Sequence, residues 1–172
     1  MVRTIPLSWM CVATVFLWGC KDKPKVAEKT EIKQVVAADY LAALPVGGNL
    51  AEQLQLEAAA RPKGAITAEA VIEALGKAQI PLSNNKQFIG RAVLATYCFG
   101  GITAAATSVT VCEYPSADAA KAGLEQSQTQ FAALPNRTLT QNKRTVLTLM
   151  RGVDSPATKA EAAKAVEVFS KL

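Results

Sequence analysis

The residues of this chain that could do chemistry are few, and one absence narrows the choice at once. There is no histidine among the 172 residues. That removes the commonest general base and the commonest metal ligand together. A Ser–His–Asp triad is impossible. The chain has no Gly-x-x-x-x-Gly-Lys-Ser/Thr phosphate loop, no Gly-x-Gly-x-x-Gly and no nucleophile elbow. Ser83 and Lys86 could be drawn as a Ser–Lys dyad, but many such pairs could be drawn, and geometry rather than sequence nearness defines a dyad. Glu113, Asp118 and Glu125 are neighbours in sequence, and carboxylates converging in a cleft would suit glycoside chemistry. Their simpler reading is a strand-end polar residue, a helix-cap charge and a helix-surface residue. No catalytic residue is assigned, and the chain is read as not an enzyme.

Four cysteines remain: Cys11, Cys20, Cys98 and Cys112. Cys20 is set apart by its surroundings. Arg3 gives a small positive start, Ile5 to Trp18 is an apolar run without charge, and Leu17-Trp18-Gly19-Cys20 is followed at once by Lys21-Asp22-Lys23. This is the layout of a secretory signal. The apolar run is shorter than the roughly 20 residues a helix needs to cross hydrocarbon. Leu17-Trp18-Gly19-Cys20 resembles the lipobox of bacterial lipoproteins, Leu-x-Gly/Ala-Cys, with Trp18 bulkier than the small residue common there. The resemblance covers residues 1–20 alone. It implies a diacylglyceryl thioether on Cys20, removal of residues 1–19 with Cys11 among them, and acylation of the new amino group. Two or three acyl chains anchor stably, where one is marginal. An uncleaved anchor would leave the same module on the same side. Lys21, where an Asp would resemble an inner-membrane retention signal, tilts the expected location to the outer membrane, facing the periplasm.

Export gives the last two thiols a meaning. Outside the cytoplasm a thiol pair usually oxidises, and Cys98 and Cys112 lie near the ends of two expected strands. A disulfide between them would close a loop of about fifteen residues and stabilise the fold by about 3 kcal/mol. A redox switch is the alternative, without a Cys-x-x-Cys or a neighbouring histidine to lower a thiol pKa. Two sulfurs without histidine fall short of a tetrahedral metal site, so neither metal nor cofactor is expected.

The formal charge of +5 falls to +4 once Arg3 is removed, and much of the excess lies in Lys21, Lys23, Lys25, Lys29 and Lys33. A nucleic-acid partner would call for a basic stripe on a folded face, often with aromatics. Aromatics are only 6% of the chain, and nucleic acid is not an expected partner. Residues 20–33 are charged, carry Pro24 and read as a lipidated tether. Residues 34–63 read as a helical segment. From Glu31 on, Ile32, Val35, Val36, Tyr40 and Leu44 keep helical spacing, Pro45 to Asn49 interrupts them, and Leu50 to Ala60 forms a second helix.

Residues 64–172 carry the clearest pattern. Thr67 caps a helix whose buried face is Val71, Ile72, Leu75 and Ile80. Phe88 to Phe99 reads as a strand broken by Gly100-Gly101, and Thr107 to Tyr114 as a second strand. Ser116 caps a helix burying Ala120, Leu124, Phe131 and Leu134. Arg137 to Gln141 and Arg144 to Met150 form a hairpin around Asn142-Lys143. Ser155-Pro156 opens a last helix with Ala163, Val166, Phe169 and Leu172 inward. The expectation is an α+β domain: a small antiparallel sheet with helices packed on one face, ferredoxin-like in layout. That layout carries no activity. The function expected is that of an envelope-anchored lipoprotein working by contact, as an interaction, assembly or accessory subunit. Its partners are the membrane, through the lipid, and another envelope protein. The alternative is a small-ligand-binding module in which the sheet and the 31–60 helices enclose a pocket.

Overall fold

The computed structural model describes residues 38–172. The expected signal, Cys20, the expected tether and the first residues of the 34–63 segment lie outside that range. No helix among the described residues is long and apolar enough to cross a membrane.

Helix starts follow the side chains that cap them. A first helix, α1, covers residues 38–43. Asn49 caps α2 (Leu50–Ala59), Thr67 caps α3 (Ala68–Lys77), and Ser116 caps α4 (Ala117–Gln130). Each accepts a hydrogen bond from a first-turn amide that would otherwise lack a partner. Ser155 and Thr158 form a reciprocal capping box at α5 (Pro156–Ser170), with Pro156 in the first turn.

Five strands form one sheet: β1 (Leu82–Phe88), β2 (Tyr97–Thr103), β3 (Thr107–Glu113), β4 (Arg137–Asn142) and β5 (Thr145–Arg151). The order is β1-β2-β3-β5-β4, and every neighbouring pair is antiparallel. The α+β class and the antiparallel sheet are as expected. The strand expected at Phe88 to Phe99 is replaced by the end of β1, a 3-10 turn at Arg91–Val93 and the start of β2. β1 carries no strand pattern in the sequence because Ser83 to Lys86 is polar and exposed, as an edge strand can be, and its register shifts between Ser83 and Lys86.

Gly100 and Gly101 do not break β2; they lie inside it. A Cβ on Gly100 would come within 1.9 Å of the Val109 carbonyl oxygen, and one on Gly101 within 2.2 Å of Asn85 Oδ1. Both glycines are places where neighbouring groups come too close for a side chain. The hairpin turn between β4 and β5 sits one residue later than expected. Asn142 pairs with Thr145, and Lys143 takes the positive φ of +52°.

The helices complete two layers of core. On one face, α3 and α5 cover the sheet, packing Val71, Leu75, Ala162, Ala165 and Phe169 with Val109, Val111, Leu147 and Leu149. The buried side of α5 is Ala162, Ala165 and Phe169, one position before the expected Ala163 and Val166; Ala163 and Leu172 are exposed. α4 packs with the residues of the other face, Cys98, Cys112 and Val146, through Ala119 and Ala120. Its buried residues include Ala119, Ala120, Gly123 and Ser127, not Leu134, which is exposed. Gly123 is required there because a Cβ would lie 2.3 Å from the Tyr114 ring.

Candidate functional site

Cys98 and Cys112 stand directly opposite each other on β2 and β3, with Cα atoms 4.1 Å apart, and are joined as a disulfide. Opposed residues of a narrow antiparallel pair come this close, about 4.5 Å, so the sheet brings the sulfurs together. The bond is buried with Ala95, Tyr114, Ala119, Ala120 and Val146. The Tyr114 hydroxyl donates to the Val93 carbonyl at 3.2 Å, and burial holds its pKa well above the usual phenol value. Cys20 and Cys11 lie outside the described residues.

The other sequence candidates are drawn apart. The Ser83 hydroxyl donates to the Ile102 carbonyl at 3.2 Å, and the Lys86 ammonium lies 5.5 Å from the Phe88 ring centre. Asp118 is exposed in the first turn of α4 and Glu125 lies farther along that helix. Glu113 is fully buried and turned to Arg61 and α3. The three acids do not share a cleft.

Two buried carboxylates, Glu113 and Glu57, bind donors from distant segments, and neither stands out in the sequence as a binding group. Glu113 accepts from Arg61 Nε at 2.9 Å, from Arg61 Nη2 at 2.5 Å and from the Ala68 amide at 2.7 Å. Arg61 also forks onto Glu69, and its guanidinium sits 4.3 Å from the centre of the Tyr97 ring. The Glu113 and Glu69 carboxylates hold the Arg61 pKa above its ordinary value. In return Arg61 holds Glu69 below the usual carboxylate range.

Glu57, also fully buried, accepts from the Gly90 amide at 2.7 Å, the Arg91 amide at 3.0 Å and Gln53 Nε2 at 2.7 Å. Arg91 Nη1 donates to the Leu44 carbonyl at 2.8 Å, and Gln87 Nε2 to the Leu54 carbonyl at 2.8 Å. These bonds dock residues 44–61 onto the sheet. The faint sequence signal was a helix, Leu50 to Ala59, whose periodic positions held Gln53 and Glu57 rather than leucines.

Beside this docked segment runs an open groove of about 630 Å³. The loop at Val46, the start of α2, the 3-10 turn and the far part of α4 form its walls. A smaller cavity of about 180 Å³ lies beyond Ile89 and Ala92, floored by the disulfide and Thr110. Its rim holds Arg137, which donates to Ser127 and to the Phe131 carbonyl at the end of α4. Among the described residues, no group of three or more Cys, Asp or Glu is placed to hold a metal ion. The arrangement can hold segments in place and offer a groove. Compared with protein families, curated proteins and solved structures, the chain matches none.

Proposed function

We propose that this chain is a lipid-anchored protein of the bacterial cell envelope, on the outer membrane facing the periplasm, whose folded module works by contact and not by catalysis. The observation that carries the reading is Leu17-Trp18-Gly19-Cys20, set between an uncharged apolar run and Lys21-Asp22-Lys23. The buried Cys98–Cys112 bond supports it, because such bonds persist in oxidising compartments. The engagement of Glu57 and Glu113 with local donors supports a holding role for these acids.

Fractionation tests the anchor. The native protein should sediment with membranes and carry the mass of a diacylglyceryl cysteine at its amino terminus. Cys20→Ala should leave the acylated pool. An unmodified terminus at Met1 in the native protein overturns the reading.

A second reading is a small-ligand-binding module: the groove of about 630 Å³ has the volume of a ligand site but is open and does not enclose one. Mild crosslinking in native membranes followed by mass spectrometry separates the two. A specific envelope protein, joined through described surface residues, supports the first reading. A small molecule retained at fixed stoichiometry supports the second.

A further inference from the structure

Helix α2 docks with Leu54 and Leu56 half-buried, but its two buried positions are polar and its first leucine faces out. Its buried residues are Gln53 and Glu57, whereas Leu50, at its start, is 59% exposed. Around it stand Val46 at 70%, Ile89 at 42% and Leu41 at 38% exposure. All four line the same groove. Val46 is not loosely held. The Gln53 side chain accepts from the Gly47 amide at 2.8 Å and donates to the Pro45 carbonyl at 3.1 Å. Those bonds bracket Val46 on both sides. Gly47 packs so closely on α2 that a Cβ would lie 2.5 Å from the Gln53 amide nitrogen. Two polar contacts therefore fix Val46 outward, beside three other exposed apolar side chains on the same groove; a contiguous exposed apolar patch is how an interaction surface is recognised.

We infer that this patch of Leu41, Val46, Leu50 and Ile89 rests in the interface of the lipid bilayer; the inference depends on the anchor at Cys20. Leu41 lies three residues after the chain enters the described fold at residue 38. The patch therefore sits at the end from which the tether comes. Seventeen residues lie between Cys20 and residue 38, a reach of at most about 60 Å. Lys21, Lys23, Lys25, Lys29 and Lys33 along that reach would be drawn to anionic head groups. Four side chains are too small a surface for a stable dimer, which needs about 1,200 Å² or more. They suffice for a bilayer, because the anchor makes the contact intramolecular in effect and raises its local concentration.

A tryptophan can report the contact. The two tryptophans of the sequence, Trp9 and Trp18, both lie in the segment expected to be removed. The acylated full-length product of Val46→Trp is reconstituted in phosphatidylethanolamine–phosphatidylglycerol vesicles, with and without brominated acyl chains. Val153→Trp serves as the comparison, because Val153 is 59% exposed in the loop between β5 and α5. The inference expects both proteins to float with the vesicles. It expects a blue-shifted emission quenched by bromine for Val46→Trp only, and loss of both signals when Leu50→Glu and Ile89→Glu are added. Flotation with equal, weak quenching in the two proteins overturns the bilayer contact and leaves the anchor standing. A blue shift at Val46→Trp without bromine quenching shows a protein occupant, a second copy included, and also overturns it. Failure to float overturns the anchor and the contact with it.

Discussion

Glu113 accepts three hydrogen bonds from groups that are far from it in the chain: two from Arg61 and one from the first amide of α3. A carboxylate with no exposed surface is tolerable only with such partners, since burying an unpaired charge costs far more than burying a bonded one. Glu113→Gln keeps one acceptor oxygen but removes the buried charge, leaves Glu69 as the one carboxylate on Arg61 and turns an amide donor toward the guanidinium. A fully buried pair broken on one side costs about 3–5 kcal/mol. Arg61 is not fully buried, so we expect a loss of about 2–3 kcal/mol here, read as a fall in the urea midpoint. An unchanged midpoint would show that the buried carboxylate contributes nothing.

Glu69 gives the pH dependence. Its pKa is lowered, first by the hydrogen bond from Arg61, so the folded state favours the ionised form. Stability from this pair is complete above the unfolded pKa, near about 4.3, and is lost as pH falls through the lower folded value. Glu69 is largely exposed, so the contribution at neutral pH is below about 1 kcal/mol. Thermal melts from pH 7 down to pH 3 should decline in acid, and Glu69→Gln should flatten part of that decline. A Glu69→Gln protein with the same acid slope as wild type would remove Glu69 from the account.

At the scale of the element, the 44–61 segment is held more by polar pins than by apolar burial, with Glu57 at the centre. Glu57→Ala leaves the Gly90 and Arg91 amides without their acceptor, at about 1–3 kcal/mol for each buried group left unsatisfied. The α3 and α5 core does not depend on it. Hydrogen exchange should therefore speed up at Gly90, Arg91 and the α2 amides while β3 and β5 keep their protection. Uniform loss of protection would mean that the segment is part of the cooperative core.

Much of this element scale was legible in the chain. Thr67, Ser116 and Ser155-Pro156 announce three helix starts because capping is local chemistry. The alternation of Val109 and Val111 with Thr110 announces β3, since a strand shows its two faces at every second residue. β1 was hidden because edge residues such as Asn84 and Asn85 face water and carry no period. Gly100 misled because a glycine that ends a strand and one that permits close strand contact look alike in sequence. Gly100→Ala tests the second role. Its Cβ would meet the Val109 carbonyl oxygen at 1.9 Å, so β2 and β3 must move apart. We expect a loss of about 1–3 kcal/mol or more by urea denaturation, and wild-type stability would refute the close-contact explanation.

Across the whole molecule, the disulfide ties the two strands that both cores share. Val109 and Val111 of β3 face α3 and α5, while Cys112 on the same strand faces the α4 side. The link spans a sequence separation of 14, short enough that the folded sheet needs no help to keep its ends together. Its effect should fall on the unfolded chain, which loses conformations when the loop is closed. The expected contribution is about 3 kcal/mol. A protein carrying Cys98→Ala with Cys112→Ala should therefore keep the native fold, melt at lower temperature and unfold with a steeper denaturant slope, because its unfolded state exposes more surface. Were the bond to act by holding native packing against strain, the slope would stay the same and the amides around Tyr114 and Ala119 would lose protection first. Paired urea titrations and hydrogen exchange on the two proteins decide between these outcomes.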